Sequence, residues 1–375
     1  MRIPASAPGH AAPDRCPGAL RLVAAADGYL ARVRLPGGFV SGEQLRVLAR
    51  LAVELGDGRI ELTSRGNVQL RALAADAADV LTAELDSAGL LPSLRHDRVR
   101  NILASPLAGL DGGPDLDPLV RALDAALCSR PGLADLPGRF LFAIDDGRGD
   151  VAGLGADVVA RLGADGASVN GLTTADVVAV MIAFAEAFMA DRAAHGGAAW
   201  RIADLPGGAD RIRTVVAGRL GLDAAGVAPA VAATSARPVG PVGGSAAVLL
   251  APLGRLDARQ LSWLADRVAV RPARITPWRS VVVPDLTDVA AALAEAAGLG
   301  FGVDAGSPWL RVTACAGRPG CASALADVQA DAAAFAARWP ERIVHVSGCS
   351  RHCGRPAGTE IDVTATGQGY DVAPV

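Results

Sequence analysis

Four cysteines near the carboxyl end of the chain are spaced as two pairs. Cys315 and Cys321 form a C-x5-C pair, and Cys349 and Cys353 form a C-x3-C pair after an interval of 27 residues. Each pair follows an apolar run and lies in glycine-containing sequence, which lets the backbone wrap a compact object and direct N–H groups toward its sulfurs. Four thiolates are the ligands of a cubane iron-sulfur cluster, so the spacing predicts a 4Fe-4S site in a redox enzyme.

Two other interpretations of these cysteines stay open. Structural zinc is the competing metal, although zinc ribbons use C-x2-4-C pairs and the five-residue gap fits them poorly. Unliganded cysteines are the third interpretation. The remaining two cysteines have no partner in sequence: Cys128 ends an apolar segment and is predicted to be a buried structural residue, whereas the role of Cys16 is ambiguous.

The composition limits the possible partners of the 375-residue chain. All 36 basic residues are arginine, and the formal net charge is −3. Each fixed cation is therefore a planar guanidinium that stays protonated and can bind a carboxylate bidentately. Since the chain has no overall positive field, we expect no nucleic-acid partner, and anion recognition must come from local arginine clusters.

The sequence also bears on location. No apolar run approaches the roughly 20 residues that span a bilayer, and the opening MRIPASAPGHAAPDRC lacks the apolar stretch of a secretion signal. We therefore expect a cytoplasmic protein without a membrane partner. Six cysteines in such a chain indicate metal ligation or catalysis rather than disulfides.

An internal repeat organises the chain around these residues. Residues 28–73 read as strand, helix and return strand, with Ser41 as the helix N-cap, and residues 245–285 repeat the plan. The proposed equivalences are Gln44-Leu45 with Gln260-Leu261, Thr63 with Thr276, and Arg65 approximately with Arg279. Two unrelated strand-helix-strand units could look alike, but the recurring Thr and Arg favour a duplication about a pseudo-twofold axis. A cleft shared by the halves is then the expected ligand site.

The cysteine spacing, the repeat and the return strand LTSRGNVQL together resemble the nitrite/sulfite reductase superfamily over about residues 20–375. The resemblance implies an α+β fold with two pseudo-symmetric halves, each a ferredoxin-like half domain plus a 4Fe-4S-type α/β domain. The implied segments are half domain 1 (20–92), α/β domain 1 (93–223), a linker (224–244), half domain 2 (245–300) and a 4Fe-4S-binding domain (301–375).

The resemblance also assigns roles to individual residues. Arg65 matches a Thr-x-Arg motif whose guanidinium points into the active cavity, and Arg100 with Asn101 matches the Arg-Asn that follows the first half domain. Cys353 takes the place of the cysteine that bridges cluster and siroheme iron in siroheme reductases. We accordingly predict catalytic roles for Arg65, Arg100, Asn101 and Arg139, and substrate binding by Arg71, Arg95, Arg98 and Arg279. Solvated surface arginines are the alternative.

One departure from the family pattern bears on the reaction. Sulfite reductases carry a Lys-x-Lys pair where this chain has Arg139 and Leu141. Leucine cannot donate a proton and arginine is a poor acid, so a reduction that consumes several protons is disfavoured.

Within the superfamily, the opening RCPGALRL, the phrase ITPWRSVVV and the modest length most resemble the branch that serves aerobic cobalamin biosynthesis. That branch implies precorrin-3A as substrate, dioxygen as co-substrate, and hydroxylation at C20 with closure of a ring A lactone. It also implies an external electron donor, either an NADH-linked reductase or a ferredoxin, and a mononuclear non-haem iron beside the cluster. His96 and His352 are weak candidates for ligands of that iron.

Two alternatives remain at this point. A siroheme-dependent sulfite or nitrite reductase would share the fold and the cluster. A non-catalytic protein that binds a tetrapyrrole or transfers electrons would keep the cluster without turnover.

Overall fold

The protein is described by a computed structural model that covers residues 16–164, 166–223, 238–356 and 358–375. The helices in this part of the chain are α1 (Gly42–Leu55), α2 (Ala78–Ser87), α3 (Asp117–Cys128), α4 (Val177–Ala194), α5 (Gly208–Leu220), α6 (Ala258–Arg267), α7 (Val289–Gly298) and α8 (Val328–Arg338).

The strands form four sheets. The first half-domain sheet has the order β1-β2-β5-β4-β13, and the second has the order β11-β12-β15-β14-β3. Their strands are β1 (Val23–Ala25), β2 (Gly28–Val33), β3 (Phe39–Val40), β4 (Arg59–Leu62), β5 (Val68–Leu73), β11 (Gly240–Val242), β12 (Ala246–Leu250), β13 (Arg255–Asp257), β14 (Ala273–Ile275) and β15 (Ser280–Val283).

Two α/β sheets complete the architecture. The first α/β sheet has the order β10-β9-β8-β7-β6, and the second has the order β16-β17-β18-β19. Their strands are β6 (Ile102–Ala104), β7 (Phe142–Asp145), β8 (Val158–Gly163), β9 (Gly166–Val169), β10 (Leu172–Thr174), β16 (Val312–Ala314), β17 (Val344–Ser347), β18 (Ile361–Ala365) and β19 (Tyr370–Pro374).

The two half-domain sheets exchange a short strand. β13 comes from the second half and pairs antiparallel with β4 of the first, while β3 comes from the first half and pairs antiparallel with β14 of the second. Helices α1 and α6 pack against each other, and one continuous apolar core includes buried residues from both halves. The half domains are therefore one structural unit, and the predicted pseudo-symmetric α+β architecture is confirmed.

The helices α1 and α6 begin with equivalent capping boxes. The Ser41 side chain accepts from the Gln44 backbone N–H while the Gln44 side chain accepts from the Ser41 N–H. Asp257 and Gln260 make the same reciprocal pair at the start of α6. Each box satisfies N–H groups that a helix start leaves without partners. The predicted equivalence of Gln44 and Gln260 therefore has a structural reason.

The predicted return strands are hairpins rather than single strands. Thr63 Oγ1 accepts from the backbone N–H groups two and four residues later, and Thr276 Oγ1 does the same. Counting from these threonines, Trp278 is the equivalent of Arg65, and Arg279 is the equivalent of Gly66. The last two share a left-handed backbone, with φ of 62° for Arg279 and 66° for Gly66. The predicted equivalence of Arg65 with Arg279 is thus wrong by one residue, because the turn and not the strand sets the register.

The two α/β sheets are also equivalent. In the first, β6, β7 and β8 are parallel, and in the second, β16, β17 and β18 are parallel, with an antiparallel strand following in each case. The residue after β6, Ser105, donates its N–H to Ile144 O, and the residue after β16, Cys315, donates its N–H to Val346 O. β11 lies inside the segment predicted as a linker, of which residues 224–237 fall outside the described residues.

Candidate functional site

The four cysteines follow two neighbouring parallel strands. Cys315 comes directly after β16, and Cys349 comes two residues after the end of β17. The Gly348 N–H donates to Cys315 Sγ at 3.1 Å, and the Cys321 N–H donates to Gly317 O at 2.8 Å. The thiols of Cys315, Cys321 and Cys349 are half-buried, and Cys353 is exposed. The carboxyl edge of the second α/β sheet therefore presents all four thiols.

The spacing of the thiols distinguishes between the two metal interpretations. Among described residues, the ligand groups of three or more His, Cys, Asp or Glu within 4.8 Å of one another consist of Asp145, Asp146 and Asp150, and include no cysteine. Four thiolates around zinc at about 2.3 Å would lie roughly 3.8 Å apart. No three of the four described thiols therefore lie as close together as zinc would hold them.

Gly348 brings its backbone close to the Cys315 sulfur. A Cβ at this position would lie 2.7 Å from Ala324 Cβ and 3.5 Å from Cys315 Sγ. Only glycine lets the backbone approach the sulfur this closely while keeping its N–H directed at it. N–H donors of this kind stabilise the negative charge of ligating sulfur.

A cavity opens beside this edge, where both half domains meet the cysteine-bearing domain. The turns of the two hairpins contribute Ser64, Trp278 and Arg279 to its wall. Half of the remaining wall comes from the cysteine-bearing domain, through Trp309, Leu310, Val312, Thr313, Gly354 and Pro356. The other half comes from Leu154 and, in the second half domain, from Leu250, Ala251, Leu253, Gly254 and Pro277. Gly354 directly follows Cys353, so the cavity lies next to the last cysteine of the set.

Arg65 lies in a cluster of arginines near the first hairpin turn. Its Nη1 and Nη2 donate to the carbonyl oxygens of Gly138 and Arg139, each at 3.1 Å. Burial, together with the nearby charges of Arg201 and Arg32, lowers the pKa of Arg65 to about 10. A group of guanidiniums that destabilise one another is a favourable place for a carboxylate.

Asn101 joins this region to the first hairpin. Its Nδ2 donates to Gly138 O at 3.1 Å and to Arg98 O at 3.2 Å, and its Oδ1 accepts from Asn67 Nδ2 at 3.3 Å. The side chain is fully buried. Asn101 therefore fixes the carbonyl that Arg65 also binds, while Arg139 itself is exposed with its guanidinium 4.4 Å from the centroid of the Trp200 ring.

Arg100 and Arg71 lie outside this group. Arg100 is buried and makes a bidentate pair with Asp124, with both N–O distances at 2.7 Å. Arg71 makes a bidentate pair with Asp27 and donates to Gly320 O. Of the other predicted substrate-binding residues, Arg279 lines the cavity, Arg95 is exposed and Arg98 is half-buried.

The histidines do not assemble a two-His, one-carboxylate iron site. His96 is buried between Ser93 and Arg130 O, at 2.7 and 3.0 Å. His352 Nδ1 lies 2.8 Å from Asp362, but no third ligand atom completes a group within 4.8 Å among the described residues. His10 lies outside the described residues. The described histidines and carboxylates therefore do not fit a mononuclear iron of this type.

Sequence reasoning missed His345 and several arginines. His345 is fully buried on β17, with Nδ1 2.8 Å from Thr313 Oγ1, and burial lowers its pKa to about 4. Arg34 is also buried, and its pKa falls to about 9 through burial and the charge of Arg32. The alternation in ARVRLP places Arg32 and Arg34 opposite the buried Ala31 and Val33, so the sequence pattern predicts exposed arginines and gives no sign of their burial.

The two cysteines outside the set of four have different surroundings. Cys16 lies near Arg32, Arg34 and Arg65, so a negative charge on its thiol would raise the pKa of all three. Cys128 is half-buried rather than buried at the end of α3, and burial raises its pKa to about 11. A thiol with so high a pKa is unreactive.

Comparison with known proteins identifies the class. Residues 24–88 match the family described as the nitrite/sulfite reductase ferredoxin-like half domain. Together with the duplicated fold, this match shows that residues 24–88 form a nitrite/sulfite reductase ferredoxin-like half domain. No helix in the described part of the chain is long and apolar enough to cross a membrane.

Individual relatives span most of the chain. A precorrin-3B synthase of Sinorhizobium sp is 28% identical, with 95% of this chain and 81% of that protein covered. A ferredoxin–nitrite reductase of Synechococcus elongatus is also 28% identical, over 89% of this chain and 75% of that protein. The structure of the Mycobacterium tuberculosis NirA protein shares the fold, with a TM-score of 0.73 at 22% identity, over 92% of this chain and 74% of that one.

Proposed function

We propose that the protein oxidises precorrin-3A to precorrin-3B with dioxygen, by C20 hydroxylation and ring A lactone formation, in aerobic cobalamin biosynthesis. The synthase relative supports this proposal because the similarity extends over 95% of the chain. The reductase relative is equally identical, so the choice between the two must rest on the site itself.

The observation that carries the proposal is Leu141. This residue takes the second place of the Lys-x-Lys pair implied by the resemblance, and it is buried in a small apolar cluster with Leu103, Ala143 and Val151. The position therefore supplies neither a cation nor a proton to a bound oxyanion. A reaction that hydroxylates a carbon needs fewer protons than a six-electron reduction and does not need a lysine there.

In this proposal Cys315, Cys321, Cys349 and Cys353 hold a 4Fe-4S cluster. The cluster supplies single electrons when bound, received from an external donor, which is an NADH-linked reductase or a ferredoxin. The exposure of Cys353 beside the cavity wall gives the shortest path from the cysteine set to a ligand in the cavity.

The arginines bind and orient the substrate in this proposal. Carboxylates around a tetrapyrrole would pair with Arg65 and Arg139 on the first half and with Arg279 on the second. Each bidentate pair fixes direction as well as charge, so a macrocycle held at several edges has one orientation. The ring of Trp278 on the cavity wall offers a flat apolar surface for the macrocycle.

Positioning roles follow for the other predicted residues. Asn101 holds Gly138 O and so aligns Arg65, and Arg100 fixes Leu90 O and α3 through Asp124. We assign no ligands to an oxygen-activating mononuclear iron, because no described histidine belongs to a group of three ligand atoms within 4.8 Å of one another.

Product analysis tests the proposal directly. The protein is first reconstituted anaerobically. Precorrin-3A incubated with this protein, a reductant and dioxygen should then give a product heavier by one oxygen atom. Binding of precorrin-3A without the mass gain would instead indicate a non-catalytic tetrapyrrole-binding protein. Omitting dioxygen is the matched control and should abolish the mass gain.

The second candidate is a siroheme-dependent sulfite or nitrite reductase, which the Synechococcus elongatus relative favours. The absorption spectrum separates the two functions. Siroheme bands in the purified protein, together with reduction of nitrite or sulfite by a reduced dye, would overturn the synthase proposal. An iron-sulfur shoulder without siroheme bands is the expected result.

A further inference from the structure

A charged network covers one face of the first half-domain sheet and reaches the cysteine-bearing domain. At its centre Glu61 on β4 lies between two arginines, 3.9 Å from Arg71 on β5 and 3.8 Å from Arg255 on β13. Because β13 is the strand contributed by the second half, the network joins both halves of the chain.

Each arginine is held by a second carboxylate. Arg71 pairs with Asp27 through two contacts of 3.0 Å, and these side chains are only 10% and 8% exposed. Arg255 pairs with Asp57 at 2.8 Å. Ion pairs that are mostly shielded from water hold their geometry better than surface pairs, so both guanidiniums have defined directions.

Both guanidiniums are connected to the loop that carries the first cysteine pair, Arg71 directly and Arg255 through Gln329. Arg71 Nη2 donates to Gly320 O at 2.9 Å, immediately before Cys321. Arg255 Nη1 donates to Gln329 Oε1 at 3.0 Å, and Gln329 Nε2 donates to Cys315 O at 3.0 Å. The two ends of the loop from 315 to 321 are therefore anchored on the half-domain sheet.

We propose that Arg71 and Arg255, the latter through Gln329, are positioning residues that hold Cys315 and Cys321 in place for the cluster. This inference rests on the cluster in the proposed function. It also gives Arg71 a different role from the substrate binding predicted by sequence, since its Nε and Nη2 are engaged by Asp27 and Gly320. The half domains then hold the loop of the first cysteine pair in addition to lining the cavity.

The loop from 315 to 321 gains from contacts outside it, because the backbone hydrogen bonds near it do not connect its two cysteines. Its internal hydrogen bonds include Cys321 N–H to Gly317 O and Arg318 N–H to Ala326 O, both of which link neighbouring backbone. Neither bond relates Cys315 to Cys321. Fixing both residues to one rigid sheet sets the distance between the two sulfurs, and ligand geometry is what tunes a metal centre.

Gln329→Glu is the sharpest test, because it separates the two contacts of Gln329. Glutamate still accepts from Arg255 but cannot donate to Cys315 O, so only the contact to the loop is lost. Arg71→Leu removes the other anchor. Arg342→Leu is the matched control, since Arg342 pairs with Glu360 on the exposed side of the same domain.

The measurements are cluster content after anaerobic reconstitution with iron and sulfide, the rate of cluster loss to a chelator, and the paramagnetic resonance spectrum of the reduced protein. We expect Gln329→Glu and Arg71→Leu to lose the cluster about tenfold faster, with a shifted spectrum and near-normal unfolding temperature. The control should match the wild type in all three.

The outcomes separate this inference from the proposed function. If the wild type holds a cluster and Gln329→Glu loses it at the wild-type rate with an unshifted spectrum, the positioning role is refuted and the cluster stands. If the wild type takes up no cluster, both proposals fall. Should Arg71→Leu unfold early, Gln329→Glu, which keeps the Arg71 anchor intact, decides the matter.

Discussion

The loops that follow β7 and β17 occupy equivalent places but are stabilised differently. In the first half the Asp146 N–H donates to Ser105 Oγ at 3.1 Å, and in the second the Gly348 N–H donates to Cys315 Sγ at the same distance. One residue earlier, Asp145 in the first half accepts from the N–H groups of residues 147, 149, 151 and 152. The first loop is thus held together by its own carboxylate.

The second loop has no such carboxylate. The equivalent of Asp145 is Ser347, whose Oγ is buried and makes no hydrogen bond within the described part of the chain. Instead, Cys315 after β16 and Cys349 after β17 lie at this loop. The comparison teaches that two equivalent loops can be held differently: the first is closed by the Asp145 carboxylate, whereas the second has a serine there and cysteines beside it. We expect the second loop to be the one that binds a cluster.

The largest expected effect comes from removing a thiol of the second loop. Cys349→Ser should lose the iron-sulfur absorbance and the bound iron together, because oxygen is a poor substitute for thiolate at such iron. Iron and sulfide analysis after reconstitution measures the loss. Cys128→Ser is the control and should keep a full cluster; a full cluster in Cys349→Ser would contradict the assignment.

Arg65→Ala should weaken substrate binding while leaving the cluster intact. A lost charged hydrogen bond costs about 1.5–3 kcal/mol, so the affinity for a tetrapyrrole carboxylate should fall about 10- to 100-fold. Titration followed by absorbance provides the measurement. Arg95→Ala is the comparison, because Arg95 is exposed and its loss should change the affinity little. Equal affinities for wild type and Arg65→Ala would remove Arg65 from the site.

Asp150→Asn tests the self-contained character of the first loop. Burial raises the pKa of Asp150 to about 6, so ionising it costs folding free energy as the pH rises from about 4 to 6. Asparagine cannot ionise and can still accept from Ser105 Oγ, which donates to Asp150 at 2.6 Å.

The variant should therefore be more stable than the wild type by about 3 kcal/mol at pH 8, and equal to it near pH 4. Denaturant unfolding at both pH values measures the difference. A constant difference across this range would show that Asp150 does not titrate there, and a destabilised variant at pH 8 would mean that its charge is needed.

The capping boxes give the smallest effect and compare the half domains themselves. Ser41→Ala and Asp257→Ala should each cost about 1 kcal/mol of unfolding free energy, since each removes an N-cap from one of the paired helices. Urea unfolding of the two variants provides the comparison. Both variants should unfold in a single transition, because α1 and α6 share one core. A biphasic unfolding curve would contradict the conclusion that the half domains form a single unit.

Local patterns predicted what depends on local sequence. The cysteine spacing, the helix caps and the repeat could be read directly, because each is set within a few residues. The two hairpin turns were not predicted, although the polar run from Thr63 to Asn67 with Gly66, and Pro277 in the second turn, interrupt the apolar residues.

Contacts between distant segments could not be predicted. Arg100 finds Asp124 on a helix 24 residues later, and Arg71 reaches Gly320, which is 249 residues away. An arginine near a predicted site looks the same in sequence whether its partner is a substrate or a buried carboxylate. The strand exchange between halves escaped prediction for the same reason, since β3 and β13 are only 2 and 3 residues long.

That exchange makes each half domain depend on the other for a paired sheet edge. A single half would leave the edge of β4 or β14 unpaired, and such an edge attracts another strand. Two identical halves could complete each other by trading the same short strand. Each half domain alone would thus tend to associate through its open sheet edge, and the exchange within one chain closes both edges.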